Sequence, residues 1–398
     1  MKGKSKVYII EFFIIVSCML GMIGICVIRV DPFFHYHKPL TDTYFYSLDN
    51  QRSQNNGISK HFEYDALITG TSMTENFKTS EFDKIFGVNS IKVPYFGASY
   101  KEINDSLERA LECNPDLKTI VRGLDMNQFT VDKNSMRFEL RDYPSYLYDK
   151  NYLNDVRYIF NRNVIFDWVW PMITSKGHEG YVPGITSFDE YSNWMQACDF
   201  GLNIVIENTF GGSGFEFQGK GAPAHISESQ KTIVAENVHQ NITSLANEHP
   251  DVTFYYFFTP YSIVWWQQLV ENGSVYRQIE AERLVIEEIL KCPNIKLYSF
   301  NNIPDITTDL NNYRDSAHYG EWINSLILKW MHDEKYLLTE ENYENYLVQE
   351  LTFYTTYDYN NILSQEDYEN DNWAAVLWRM KTEDIKPLLF SEELLEQG

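Results

Sequence analysis

Three side chains in this sequence have the types and spacing that acyl-group chemistry needs: the hydroxyl of Ser72, the carboxylate of Asp315 and the imidazole of His318. Ser72 sits in Gly70-Thr71-Ser72-Met73, where a short apolar run stops at a glycine and a helix-like pattern begins. A serine at a strand-to-helix junction has unpaired backbone N–H groups and a helix dipole beside it, an environment that stabilises an oxyanion. Asp315 and His318 share one turn of Asp315-Ser316-Ala317-His318-Tyr319-Gly320. At that spacing the carboxylate can accept from one ring nitrogen while the other faces a hydroxyl as a base. Each signal alone has a plain structural reading, because a serine after a strand is commonly an N-cap and an Asp three residues before a His is a common capping pair. Their order along the chain makes the combination specific: the serine follows the first strand of the pattern and the histidine follows the last.

The elements that must position these groups are legible as an alternation. Asp65-Ala66-Leu67-Ile68 reads as a strand, and Met73 to Ile85 as a helix. Ser90 to Pro94 is a second strand that runs to Gly97, and Tyr100 to Glu112 a helix with Ile103, Leu107 and Leu111 at four-residue steps. Thr119 to Leu124 makes a third strand. After an interruption come a helix at Ser227 to Ala246, a strand at Val252 to Phe258, a helix at Ser274 to Leu290, a strand at Ile295 to Phe300 and a helix at Glu321 to Met331. Strands separated by helical segments of this length indicate parallel βαβ units. The expected architecture is an α/β sandwich of three layers, helices on both faces of a five-stranded parallel sheet. In such sheets the active groups lie at the carboxyl ends of the strands.

The interruption, about residues 132–249, reads as an insertion between the third and fourth strands that covers the carboxyl edge. It carries Gly211-Gly212-Ser213-Gly214 and the aromatic residues Trp168, Trp170, Tyr191 and Trp194. These suit a sugar-stacking lid, and for any one of them the plain reading is ordinary aromatic core.

The segments Ile68-Thr69-Gly70-Thr71-Ser72, Tyr95-Phe96-Gly97-Ala98-Ser99 and Asp315-x-x-His318 resemble three blocks of the SGNH/GDSL hydrolase superfamily. That resemblance covers roughly residues 60–330 and implies a flavodoxin-like sheet with Ser72, Asp315 and His318 as a catalytic triad. It also implies an oxyanion hole built from the Ser72 and Gly97 N–H groups. The superfamily's third block normally reads G-x-N-D, with an asparagine at its third position that donates to the oxyanion. Here Gly123-Leu124-Asp125-Met126-Asn127 has Asp125 at that position, and an ionised carboxylate cannot donate. Asn127 is the alternative donor. Within the superfamily the chain is similar to bacterial membrane-anchored cell-envelope proteins, the D-alanyl-lipoteichoic acid transfer and alginate O-acetyltransferase-like branch. The resemblance therefore implies O-acyl transfer, of acetyl or D-alanyl type, through an acyl-Ser72 intermediate to a glycan or teichoic acid. No cofactor and no metal enter that chemistry, and a multipass acyl-exporting membrane protein is the implied partner. A carbohydrate esterase of the same fold and a non-catalytic envelope scaffold are the rival readings.

The N-terminus fits that setting. Val7 to Ile28 is a run of 22 residues broken among strongly polar groups only by Glu11, enough to cross ~30 Å of hydrocarbon. Lys2, Lys4 and Lys6 precede it, which keeps the N-terminus cytoplasmic and puts everything after Arg29 outside. A cleaved signal peptide ending near Cys26, or a lipoprotein box at Ile15-Val16-Ser17-Cys18, would leave the rest of the chain on the same side. The expected organisation is a stub and transmembrane helix (1–29), an extended juxtamembrane connector (30–59) carrying His35 and His37, a catalytic domain (60–335) and an acidic extension (336–398).

Composition excludes other classes. With 44% hydrophobic and 16% aromatic residues the chain has too much apolar area to stay unfolded. Its net charge of −23 opposes nucleic-acid binding, which depends on cations replacing phosphate counterions. From Glu340 onward 14 acidic residues stand against 3 basic ones, which reads as a solvated face. Five cysteines, two of them in the apolar run, show neither metal spacing nor a disulfide framework.

Overall fold

In the computed structural model, residues 2–140, 144–211 and 214–365 are described. Gly212 and Ser213 of the glycine-rich stretch and the acidic tail from residue 366 lie outside the described residues. The chain divides into two compact units, one made of Met1–Glu63 with Phe138–Ser187 and the other of Tyr64–Arg137 with Phe188–Gly398.

The second unit is built on five parallel strands: β1 (Ala66–Gly70), β2 (Ser90–Pro94), β3 (Thr119–Leu124), β4 (Thr253–Phe258) and β5 (Ile295–Ser299), side by side in the order β2-β1-β3-β4-β5. Ala66 pairs with Ser90 and Thr119, and Thr119 with Thr253, so the strands end together at one edge. Every residue of β1 and β2 is buried, so both faces of these two strands are covered. Two cations are buried inside this core. Arg122 of β3 lies between the rings of Tyr100 and Tyr256, 5.4 and 5.7 Å from their centroids, and donates to Asn241 O at 2.7 Å. Lys92 of β2 donates to the carbonyls of Glu75 and Phe77. Burial pushes the Lys92 ammonium down to about 7.

Lys92 also accounts for a departure from the sequence reading. Only a single 3-10 turn, Ser72–Thr74, follows β1, and the α-helix begins at Thr79. The carbonyls of Glu75 and Phe77 accept from the Lys92 ammonium in place of a helical ladder. Ser72 therefore stands on a tight turn rather than at the head of an α-helix, and the expected macrodipole is absent there. The helix Tyr100–Cys113 does form as read, opened by a capping box between Ser99 and Glu102. The expected Ser227–Ala246 helix is present as Glu228–Val238, a π-turn at His239–Thr243 and a short helix Ser244–Glu248. A helix at Ile263–Glu271 was not anticipated.

Residues after 335 do not all form a separate extension. Helix Tyr343–Thr356 belongs to the sheet-bearing unit: Tyr354 stacks on Trp266 with centroids 3.8 Å apart and donates to Asn301 O at 2.6 Å. Glu350 on this helix is fully buried, so the acidic stretch is not simply a solvated face.

The first unit joins the N-terminal segment to residues from the middle of the chain. Its helix Lys2–Val30 contains one stretch, Lys6–Val30, long and apolar enough to cross a membrane. The connector is not extended. Asp31 and Phe34 take left-handed φ values of 44° and 56°. The Asp31 carboxylate accepts from the amides of His35 (3.0 Å), Tyr36 (2.7 Å) and His37 (3.1 Å) and from the Tyr158 hydroxyl (2.8 Å). The helix Gln51–His61 packs against this turn through Gly57, where a Cβ would lie 2.3 Å from Phe33 O. His35 pairs with Asp155 at 3.2 Å. Residues Phe45–Tyr46 form a short parallel pair with Gly184–Ile185.

The 132–249 insertion is thus not one element. Residues 138–187, with Trp168 and Trp170, belong to the unit of the N-terminal helix, and residues 188–249, with Tyr191 and Trp194, to the unit of the sheet.

Candidate active site

The site is assembled from loops that leave the carboxyl edge of the sheet. Gly70 ends β1 at φ 150° and Thr71-Ser72 follow at once. Thr74 folds back under this turn, its hydroxyl donating to Thr71 O at 2.9 Å. Space for Thr74 comes from two glycines on adjacent strands: a Cβ on Gly70 would lie 2.6 Å, and one on Gly123 3.0 Å, from its methyl group. The Ser72 turn can therefore sit down on the end of the sheet, with its hydroxyl half-buried.

The Asp315–His318 loop lies 16 residues beyond β5, and the loop after β4 holds it in place. Ser262 donates through both its amide and its hydroxyl to Ser316 O (3.1 and 2.8 Å), and the Tyr313 hydroxyl donates to Pro260 O at 2.8 Å. Tyr313 and Tyr319 pair across the loop as an antiparallel bridge. The helix Glu321–His332 that follows ties back to the serine turn, Asn324 donating to Met73 O at 3.1 Å.

The result is a continuous chain of three groups. Ser72 Oγ lies 2.8 Å from His318 Nε2, and His318 Nδ1 lies 3.0 and 2.9 Å from the two Asp315 carboxylate oxygens. Asp315 Oδ1 also accepts from the amides of Ala317 and His318, at 2.9 and 2.8 Å, which locks the carboxylate to its own loop. The electrostatics agree with the geometry. Burial disfavours the imidazolium, but the hydrogen bond and charge of Asp315 outweigh it and hold the His318 ring above its ordinary value. Burial works against the Asp315 carboxylate too, yet its bonds from His318 and the loop amides hold it below the usual range.

The residues expected around an oxyanion separate into two groups. Ser72 and Gly97 follow neighbouring strands, β1 and β2, and among the described residues neither of their N–H groups donates to the protein. Gly97 takes φ 59°, within the turn closed by Ala98 N donating to Tyr95 O, and its own carbonyl accepts from Arg137. Asp125 and Asn127 are placed otherwise. Both oxygens of Asp125 are occupied, Oδ2 by the Thr71 hydroxyl at 2.7 Å and Oδ1 by the Tyr261 hydroxyl at 2.8 Å. Burial pushes the Asp125 carboxyl up, and the two hydroxyl donors oppose that shift. Asp125 therefore braces the residue next to Ser72 from below. Asn127 is exposed on the 3-10 turn Met126–Gln128, and no hydrogen bond among the described residues links it to the three-group chain.

Several participants escaped the sequence reading. Tyr261 and Asn324 have no motif of their own, although Tyr261 directly follows Thr259-Pro260 at a strand end, which is where site residues gather. Trp194 stands in the sequence among the aromatics of a sugar-stacking lid or an ordinary core. It meets the His318 ring edge-on at 5.8 Å, stacks on Phe200 and carries the Arg314 guanidinium 5.4 Å over its face. Among the described residues no group of three His, Cys, Asp or Glu is arranged to hold a metal ion.

Compared with known proteins, the chain matches no family model, no curated protein and no solved structure. What can be said of its chemistry rests on its own residues.

Proposed function

We propose that the protein is a serine-dependent acyl-transfer enzyme of the SGNH/GDSL type, with Ser72 as nucleophile, His318 as base and Asp315 as the group that orients and charges the base. More particularly, it is an envelope O-acyltransferase, anchored by its N-terminal helix with the sheet-bearing unit outside the cytoplasm. The observation that carries this reading is the 2.8 Å contact between Ser72 Oγ and His318 Nε2, from residues 246 positions apart, with Asp315 on the far side of the same ring. The strand order β2-β1-β3-β4-β5 supports it, because that order in a doubly wound three-layer sandwich puts ligands at the carboxyl edge beside β1.

His318 Nε2 takes the proton of Ser72 as Oγ attacks the carbonyl carbon of an ester or thioester. The tetrahedral oxyanion is met by the Ser72 and Gly97 N–H groups, each such donor being worth ~100- to 1,000-fold in rate. Collapse breaks the bond to the leaving group, which departs with the proton from His318 and leaves acyl-Ser72. A hydroxyl of a cell-envelope polysaccharide or teichoic acid then gives its proton to His318 and attacks the acyl carbon. The second collapse returns the proton to Ser72 and releases the acylated acceptor. The acyl group is of acetyl or D-alanyl type, supplied by a multipass membrane partner that exports it.

Labelling with a fluorophosphonate probe tests the nucleophile. The full chain labels, and Ser72→Ala does not. Product analysis with an acyl donor, with and without a glycan acceptor, tests transfer: acylated glycan is expected, whereas free acid alone would make the protein a carbohydrate esterase. A chain that folds, fails to label and forms neither product would be a scaffold that kept the fold.

A further inference from the structure

In the first unit, residues 152–175 turn a row of large apolar side chains outward. Leu153 is 86% exposed, Phe166 and Trp170 60% each, and Val156, Phe160 and Ile173 are exposed as well. Single exposed apolar residues are ordinary, but a concentration of this size within one short segment marks an interaction surface. The segment is folded, since Tyr158, Val164 and Val169 form a buried inner face and the Tyr158 hydroxyl holds Asp31.

What this segment packs against identifies its surroundings. The N-terminal helix is exposed along most of its length, and its buried positions are Gly24, Val27 and Val30 in the last two turns. A Cβ on Gly24 would touch Ile159 at 3.5 Å. The apolar stretch of 25 residues is about 37 Å long, against about 30 Å of hydrocarbon, so its final turns emerge at the outer interface. Residues 152–175 thus flank the helix where the acyl chains meet the headgroups, a depth of about 5–10 Å that interfacial segments commonly reach. Charge does not oppose this: residues 152–175 hold Arg157 and Arg162 against Asp155 and Asp167, a local net charge of zero in a chain of −23. Arg157 and Arg162 are exposed beside the apolar row, and Asp155 is buried.

We propose that residues 152–175 dip into the outer leaflet beside the N-terminal helix, with Phe166 and Trp170 among the acyl chains and Arg157 and Arg162 on anionic headgroups. This makes the first unit a membrane-seated base rather than a tethered linker, and it rests on the N-terminal helix being a membrane span.

The full chain in nanodiscs of phosphatidylcholine and phosphatidylglycerol, with acyl chains brominated near the headgroup end, provides the test. The fluorescence difference between the wild type and Trp170→Phe isolates Trp170, and brominated lipid is expected to quench most of it. The double variant Phe160→Glu/Phe166→Glu should lose that quenching while keeping its circular dichroism and its resistance to alkaline extraction. In discs containing phosphatidylglycerol, Arg157→Gln/Arg162→Gln should lower it more than in phosphatidylcholine alone. Unquenched Trp170 in wild-type discs overturns the proposal and points to a protein covering that face. Release of the wild type by alkaline carbonate would instead sink the membrane-span reading on its own.

Discussion

Asp315 fixes the state of His318 more than burial does, and a rate profile can read this. In the proposed mechanism the neutral ring is the base, so kcat/KM for an activated ester should fall as pH drops through the His318 pKa. Because Asp315 holds that value above the ordinary 6.5, the ascending limb should have its midpoint above 6.5. Asp315→Asn removes the largest contributions that oppose burial. Its midpoint should move below that of the wild type, with the plateau rate lower by ~10,000-fold, as when a triad histidine loses the carboxylate that sets its tautomer. A midpoint that stays put in the variant would mean that Asp315 does not set the charge of the ring. Ser72 and Asp315-x-x-His318 were legible because each is a local pattern at a strand end. The work of Asp125 was not, since it depends on Tyr261, 136 positions away, and on a hydroxyl next to the nucleophile. Read alone, Asp125 looked like a damaged oxyanion donor.

The turn that presents Ser72 depends on the ends of three strands. Gly123→Ala would place a methyl group 3.0 Å from the Thr74 methyl and 3.2 Å from the Phe257 ring, so the turn must lift. The expected cost is ~1–3 kcal/mol of stability, read in thermal unfolding. Labelling of Ser72 should also slow by ~10- to 100-fold, because small displacements of a reacting group are expensive. Unchanged labelling in a stable Gly123→Ala protein would show that the turn's seat on the sheet does not position Ser72. The strands themselves were readable within one or two residues, since buried parallel strands leave dense apolar runs. The helix start after Ser72 was not. Lys92, in a strand 20 positions downstream, takes the carbonyls that a helix would have used, and no local periodicity reports such a contact.

At the scale of the molecule, the helix Tyr343–Thr356 carries a consequence for stability. Glu282 and Glu350 are fully buried close to one another, and burial raises both carboxyls above the usual 4.5, Glu350 to about 7. The folded state keeps protons that an unfolded chain would release, so stability should fall as pH rises from about 4.5 through about 7. Glu282→Gln removes one of the two charges. It should be close to the wild type in melting temperature near pH 4.5 and higher at pH 8, by on the order of 2–4 °C for each kcal/mol relieved. Equal pH dependence in the two proteins would contradict this. The division into units was the least legible feature. The N-terminal 63 residues and residues 138–187 are far apart in sequence and joined by contacts such as Asp31 with Tyr158 and His35 with Asp155. Counted as connector and insertion, they showed no periodicity that would have linked them.

The central claim is that the hydroxyl at position 72 becomes covalently acylated, and mass analysis of the intact chain after brief exposure to p-nitrophenyl acetate, followed by acid quench and peptide mapping, tests it most directly. The account predicts one added acetyl group on the peptide containing Ser72, absent in His318→Ala. An unmodified Ser72 peptide in a protein that still turns over the ester, or an acetyl group carried on another residue, would contradict it.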